Sequence, residues 1–341
     1  MFLREGLAYG HLSNQEKDVY KIALRAFSSH AISFDCTQAN RNVDLMKVIQ
    51  AVIGDNPSVI YFNKSQLQIE ESIFGKKIIL TGIQLKPQLD KMKLSLDVSS
   101  NLIVSSLKAN SHDDYSLLVK LSEYLQKNVR YDKDELQASM RGTSISPSSH
   151  NAYGALINGR AVCDGIASAF SLLAQKLGFE CMVVIGKSMY TVAATVNHAW
   201  NVVRIHDKYY HIDVTWDARN YEELGELSYS YFALADGDIE YDHEWDKSST
   251  PACIDSFFNY YHVNNLFAGN SDQLQAIIKM FGKTKNNAIR IKISRNINLP
   301  NNQGEYLVQM VLREVARFGM RIQASYSWNE NTRCFFAKII T

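Results

Sequence analysis

At 341 residues the chain exceeds one comfortable hydrophobic core and reads as two or three domains. Its 46% hydrophobic and 21% charged residues exclude a disordered or fibrous protein. Thirty-six basic against 35 acidic side chains, a formal charge of +1, exclude the global field of a nucleic-acid or anionic-membrane binder.

Arg4, Glu5 and His11 break up the one stretch that resembles a secretory signal, and no run approaches the ~20 apolar residues that cross a bilayer. The expected location is cytoplasmic. Five cysteines (Cys36, Cys163, Cys181, Cys253, Cys334) are odd in number, widely spaced and form no CxxC pair, which argues for a reducing compartment and against a disulfide framework or zinc knuckle.

Residues 14–31 place Val19, Ile22, Ala23, Ala26 and Phe27 on one helical face after a cap at Ser13. A helix over 43–52 follows, then strands over 59–62, 67–73 and 77–85, the last two joined by a hairpin at Phe74-Gly75-Lys76. Residues 1–108 thus read as a small α+β domain without chemistry. A helix over 113–129 opens the middle domain, 109–262, and the serine-rich stretch 138–151 is a loop, read as a connector with a mobile substrate-side loop as the alternative.

Residues 163–177 carry Ile166, Phe170, Leu173 and Leu177 on one helical face, with Asn158-Gly159 turning before it and Gly178 stopping it. Cys163 lies in the first turn, where unpaired N–H groups and the positive end of the macrodipole favour a thiolate and can hold an oxyanion. A nucleophile of this kind needs a base and an orienting group. Two strands supply candidates: 195–205 with His198 and Trp200 on one face, and 209–216 with His211, Asp213 and Thr215 together. If a tight turn sits on Asp207-Lys208, His198 faces Asp217; a bulge or longer turn brings Asp213 instead.

These pieces resemble the transglutaminase-like superfamily of papain-type fold, in its bacterial branch. The resemblance rests on Gly159-Arg160-Ala161-Val162-Cys163-Asp164-Gly165, Asn197-His198-Ala199-Trp200-Asn201 and Tyr210-His211-Ile212-Asp213-Val214-Thr215-Trp216-Asp217, with flanking Asn128-Val129-Arg130-Tyr131-Asp132, His243-Glu244-Trp245 and Pro251-Ala252-Cys253. It implies an α+β fold in which a helix bearing Cys163 packs on an antiparallel sheet bearing His198 and Asp213. It also implies nucleophile, base and orienting acid in that order, which favours Asp213 over Asp217. The second oxyanion donor that such enzymes carry upstream is assigned here to Tyr153, and Trp200 and Trp216 either wall a substrate cleft or pack beneath it.

The expected activity is acyl transfer on protein or peptide amides through a thioester, a cysteine hydrolase ahead of a glutamine transglutaminase or deamidase, with a catalytically silent scaffold of the same fold as the alternative class. No cofactor is expected. His206, His211 and Asp213 lack supporting thiolates for a metal site, and the acidic run 236–242 has Tyr241 where a calcium loop needs glycine. Residues 263–341 read as a β-α-β-β unit, with a strand over 288–293, a helix over 303–318 and strands over 320–326 and 333–340. From 271 onward there are eleven Lys/Arg against four Asp/Glu, whereas 205–246 holds two against twelve, so the C-terminal unit is either a solvated basic face or the dock for something acidic, the chain's own middle segment included.

Overall fold

The Ser13 hydroxyl accepts from the Glu16 N–H while the Glu16 carboxylate accepts from the Ser13 N–H, a reciprocal cap that starts the helix Asn14–Ser28. The computed structural model that shows this describes residues 3–37, 42–62, 67–73, 75–191, 194–284, 286–317 and 323–340. The helix buries Val19, Tyr20, Ala23, Ala26 and Phe27 and packs on the helix Leu45–Asp55. Beside them runs a three-stranded antiparallel sheet in the order Ser33–Thr37, Gly75–Ile79, Gln68–Ser72. The two strands expected on either side of a hairpin turn do pair, but Gly75 and Lys76 belong to the second strand, opposite Ser72 and Glu71, and Phe74 lies outside the described residues.

Residues 59–62 are not a strand. Val59, Ile60, Tyr61 and Phe62 are all buried, so the apolar run that reads as a strand is core filling in an irregular segment. The helix Lys86–Ala109 has no counterpart among the predicted elements. It buries Leu89, Leu96, Ile103, Val104 and Leu107 but leaves Leu94, Val98 and Leu102 exposed, which blurs its periodicity.

The helix Cys163–Leu177 ends at Gly178, left-handed at φ 105°, a conformation glycine adopts without steric cost. It packs on a four-stranded antiparallel sheet in the order Lys208–Ile212, Ala194–Ile205, Cys181–Thr191, His243–Glu244. The α+β arrangement is therefore the one expected, a cysteine-bearing helix against an antiparallel sheet. The expected strand over 209–216 stops early, at Ile212, and the chain turns into the helix Val214–Leu224. Helix residues Ala169, Phe170 and Leu173 share one apolar cluster with Val19, Val48 and Leu118 of the preceding helices.

The C-terminal residues build a second cluster around Ile291, Leu307, Val311 and Phe335. Their sheet runs in the order Phe267–Ala268, Ala288–Ile293, Cys334–Ile340, Gln323–Asn329, with helices Ser271–Gly282 and Gln303–Ala316. The short parallel strand at 267–268 and the helix at 271–282 are additions to the predicted β-α-β-β order, and the expected element ends at 318 and 320–322 lie outside the described residues. Part of the basic excess is met inside the chain: Arg290 and Lys338 reach Glu226 at 3.2 and 2.7 Å, and Lys292 reaches Asp238 at 3.1 Å. Among the described residues no helix is long and apolar enough to cross a membrane.

Gly165, two residues into the cysteine helix, admits the loop before it. A Cβ there would lie 2.2 Å from the Ser149 carbonyl oxygen, too close for any atom. Gly165→Ala is expected to destabilise the protein by ~1–3 kcal/mol, as for other overpacked sites, in denaturant unfolding. An unchanged midpoint would show that the Ser149 loop is free to move.

Candidate active site

Cys163 is the first residue of its helix, and no side chain caps that end. The first-turn N–H groups are therefore left without intrahelical partners beside the sulfur. Cys163 is partly exposed, whereas Cys36, Cys181, Cys253 and Cys334 are buried. The helix approaches the sheet closely because Cys163 packs against Ala167, Val183 and Ala199, all small or β-branched. Asn201 fixes the crossing: its buried amide donates to the Ala167 carbonyl at 3.0 Å, one turn beyond Cys163, three residues along the strand from His198.

His198 lies opposite Gly186 on the neighbouring strand, where a Cβ would meet the Trp200 ring at 2.8 Å and the Glu244 carbonyl at 2.3 Å. On the other side, Asn201 opposes Ile212 and Ile205 opposes Lys208, so the tight turn sits on His206-Asp207, with His206 at φ 55°, and not on Asp207-Lys208. Beyond Ile212 the ladder ends. The Asp213 side chain accepts the Trp216 N–H at 3.1 Å and caps the helix Val214–Leu224, which is why the predicted strand breaks there. This turn carries Asp213 Oδ2 to 2.6 Å from His198 Nε2. The second ring nitrogen, Nδ1, is left for Cys163, whose side chain is an electrostatic neighbour of the imidazole.

Both groups are buried. Burial works against a charged imidazole, but the Asp213 carboxylate and then Cys163 outweigh it and raise His198 to about 9. Burial alone would raise Asp213, yet the charge and hydrogen bond of His198, followed by those of His243, hold it well below the usual carboxylate range. Asp217 has other partners: it accepts the Ser228 hydroxyl at 2.6 Å and the Tyr231 N–H at 3.2 Å, and burial pushes it up to about 7. The geometry thus pairs His198 with Asp213 and leaves Asp217 in a separate pocket.

Residues 103–214 match the family model described as the transglutaminase-like superfamily, a stretch that takes in Cys163 and His198 and ends one residue past Asp213. This stretch is a transglutaminase-like domain. Kyphoscoliosis peptidase of Mus musculus is 24% identical over 143 residues, covering 39% of this chain and 21% of that protein, so the chain matches about a fifth of that relative's length. Among solved structures, a transglutaminase is similar over 44% of each chain at 16% identity and a TM-score of 0.32. A proposed cysteine protease from Cytophaga hutchinsonii is similar over 44% of this chain and 61% of that one, at 14% identity and a TM-score of 0.28. Superpositions this loose add nothing to the assignment, which rests on the family model.

Within the transglutaminase-like domain, two aromatic assignments shift. Trp200 is 1% exposed, stacks on His198 at 5.9 Å and donates its indole N–H to His211 Nδ1, so it packs beneath the site instead of walling a cleft. Trp216 does border one, an open cleft against the C-terminal strands, and meets the His198 ring edge-on at 6.2 Å. Tyr153 sits in the short helix Ala152–Leu156 against the main apolar cluster. The tyrosine that Cys163 acts on is Tyr131, held beside the nucleophile because Arg130–Tyr131 pairs with Arg160–Ala161; its phenol is raised by burial and then by the Cys163 charge. Tyr131 stands in a motif fragment legible in the sequence, but its contact depends on this two-residue pairing.

The serine-rich loop is anchored. Glu135 accepts from the Ser144 hydroxyl and the Ile145 and Ser146 N–H groups at 2.6–2.9 Å, and His150 bridges Glu135 and Asp164 at 3.1 and 3.0 Å. Among the described residues, two groups are compact enough to hold a metal ion: His198, Asp213, His243 and His211, Asp236, Cys253. Hydrogen bonds account for both. His211 Nδ1 accepts the hydrogen bond of the Trp200 indole N–H, so its Nε2 carries the ring proton and donates to Asp236 at 2.8 Å, leaving no lone pair for a cation.

The Asp217 shift has a sign. The folded state retains a proton that the unfolded chain releases near pH 4, so this carboxyl lowers stability as pH rises from about 4 to about 7. Asp217→Asn keeps an acceptor and loses the titration. Its unfolding midpoint relative to the parent is expected to rise between about pH 4.5 and pH 7.5, and a constant difference would place the titration elsewhere.

Proposed function

We propose that residues 109–262 carry out cysteine-dependent acyl transfer on protein or peptide amides, with Cys163 as nucleophile, His198 as base and acid, and Asp213 as orienting group. The observation that carries this reading is the buried 2.6 Å bond from His198 Nε2 to Asp213, which occupies one ring nitrogen and leaves the other for Cys163, an electrostatic neighbour at a helix start. The Cys163 thiolate attacks the amide carbonyl carbon, and the oxyanion is met by first-turn N–H groups, with the Tyr131 hydroxyl alongside. His198 gives its proton to the departing amine as the C–N bond breaks, leaving a thioester. Water, deprotonated by His198, then releases the acid and the thiol; an amine in its place would make a new amide. The aligned relative is a peptidase by name, and we favour water. No chemistry is assigned to residues 1–108, and 263–341 is read as a recognition or assembly unit.

Iodoacetamide near neutral pH should label Cys163 far faster than a free thiol, read by mass spectrometry of its peptide. Cys163→Ala should abolish turnover of whichever amide substrate acyl-enzyme trapping identifies. A Cys163 of ordinary reactivity would leave a silent scaffold. Asp213→Ala should lower kcat/KM by at least ~100-fold and Asp217→Ala by much less; the reverse order refutes Asp213 as the orienting acid.

A further inference from the structure

Two imidazoles hold Asp213. His243, on the edge strand His243–Glu244, brings Nε2 to 3.0 Å from Asp213 Oδ2, the oxygen that His198 engages at 2.6 Å. Its Nδ1 lies 2.5 Å from Asp242 Oδ1. A carboxylate oxygen only accepts, so an imidazole with a carboxylate at each nitrogen carries a proton on both and is a cation. Burial opposes that cation, and the hydrogen bonds and charges of Asp213 and Asp242 reverse the balance, raising His243 to about 9.

The chain of contacts continues outward. Asp242 Oδ2 accepts the Tyr231 hydroxyl at 2.5 Å, and the Tyr231 oxygen accepts the side-chain amide of Asn329, on the outer strand of the C-terminal sheet, at 3.0 Å. The other groups facing His243 are His198 and Trp200 from the central strand, His211 from the strand beside it, Trp216 from the helix after Asp213, and Tyr231. His211 is neutral by its hydrogen bonds, and Tyr231 is kept neutral by burial and by Asp242. The charges that act on His243 are therefore Asp213, Asp242 and His198.

We propose that His243 is a positioning residue of this site: a permanent imidazolium that competes with His198 for one oxygen of Asp213 and limits how tightly that carboxylate retains the His198 proton. This rests on the catalytic reading given above. Its value to the reaction is direct, since a base that must also protonate a departing amine acts best when its proton is not held too strongly. The two rings stand 5.3 Å apart, close enough for one charge to bias the other.

Ring-nitrogen NMR of histidine-labelled full-length protein tests both halves. In the parent, His243 should show two protonated nitrogens from about pH 6 to pH 8; a neutral tautomer there overturns the proposal. His243→Gln retains an N–H donor to Asp213 but no charge, and should move the His198 titration upward by about one pH unit, whereas a merely structural role would lower the Cys163 alkylation rate without moving it. If the parent Cys163 alkylates with no step linked to the His198 titration, the triad reading itself fails. If that step is present in the parent and unmoved in His243→Gln, only the role of His243 fails. Should the variant not fold, the parent spectra decide.

Discussion

A carboxylate removed from water persists only where its lone pairs are used, and Asp213 is 0% exposed. Oδ1 takes the Trp216 N–H and caps a helix; Oδ2 takes two imidazoles. Each partner comes from a different element, and each element is placed by the requirement. The strand must end at Ile212 for the cap to form, His198 must run past the end of that strand to be reached, and the edge strand bearing His243 must close the far side. The site is thus a consequence of burying one charge correctly.

Residues on the nucleophile's side are governed by the same rule. His150 lies between Glu135 and Asp164, the residue next to Cys163, and burial is again outweighed by the carboxylates, which raise it. Through Glu135 this ion network holds the Ser144–Ser146 backbone, and through the close approach at Gly165 the loop carbonyl meets the helix start. A serine-rich stretch that reads as a connector is in fact part of the wall that positions the first turn.

What the sequence made legible was local. A helix start with Gly178 at its end located Cys163, and alternation located His198 on its strand. Hairpin register alone did not give the partner of His198: a turn on Asp207-Lys208 sets Asp217 opposite it, the turn that forms, on His206-Asp207, would set Thr215 there if the ladder continued, and Asp213 reaches His198 because the ladder stops at Ile212. Asp213 was read as a strand residue because 209–216 alternates well, although Asp213-Val214-Thr215-Trp216 is also a helix cap; the cap wins because it satisfies a buried carboxylate. Tyr131 and His243 lie in motif fragments with no local pattern to announce their contacts. The helix 86–109 has no clear apolar face in the sequence because exposed Leu94, Val98 and Leu102 share its length with buried leucines.

Three buried histidines lie within ring contact around Trp200, and their hydrogen bonds assign them three different states. His211 accepts from an indole at one nitrogen and donates at the other, so it is neutral. His243 donates to carboxylates at both, so it is charged. His198 alone of the three meets a carboxylate at one nitrogen and has the other left for Cys163. It is consequently the one ring that can gain or lose a proton while keeping its bond to Asp213, and the neighbours that fix the other two confine proton movement to the nitrogen left for Cys163.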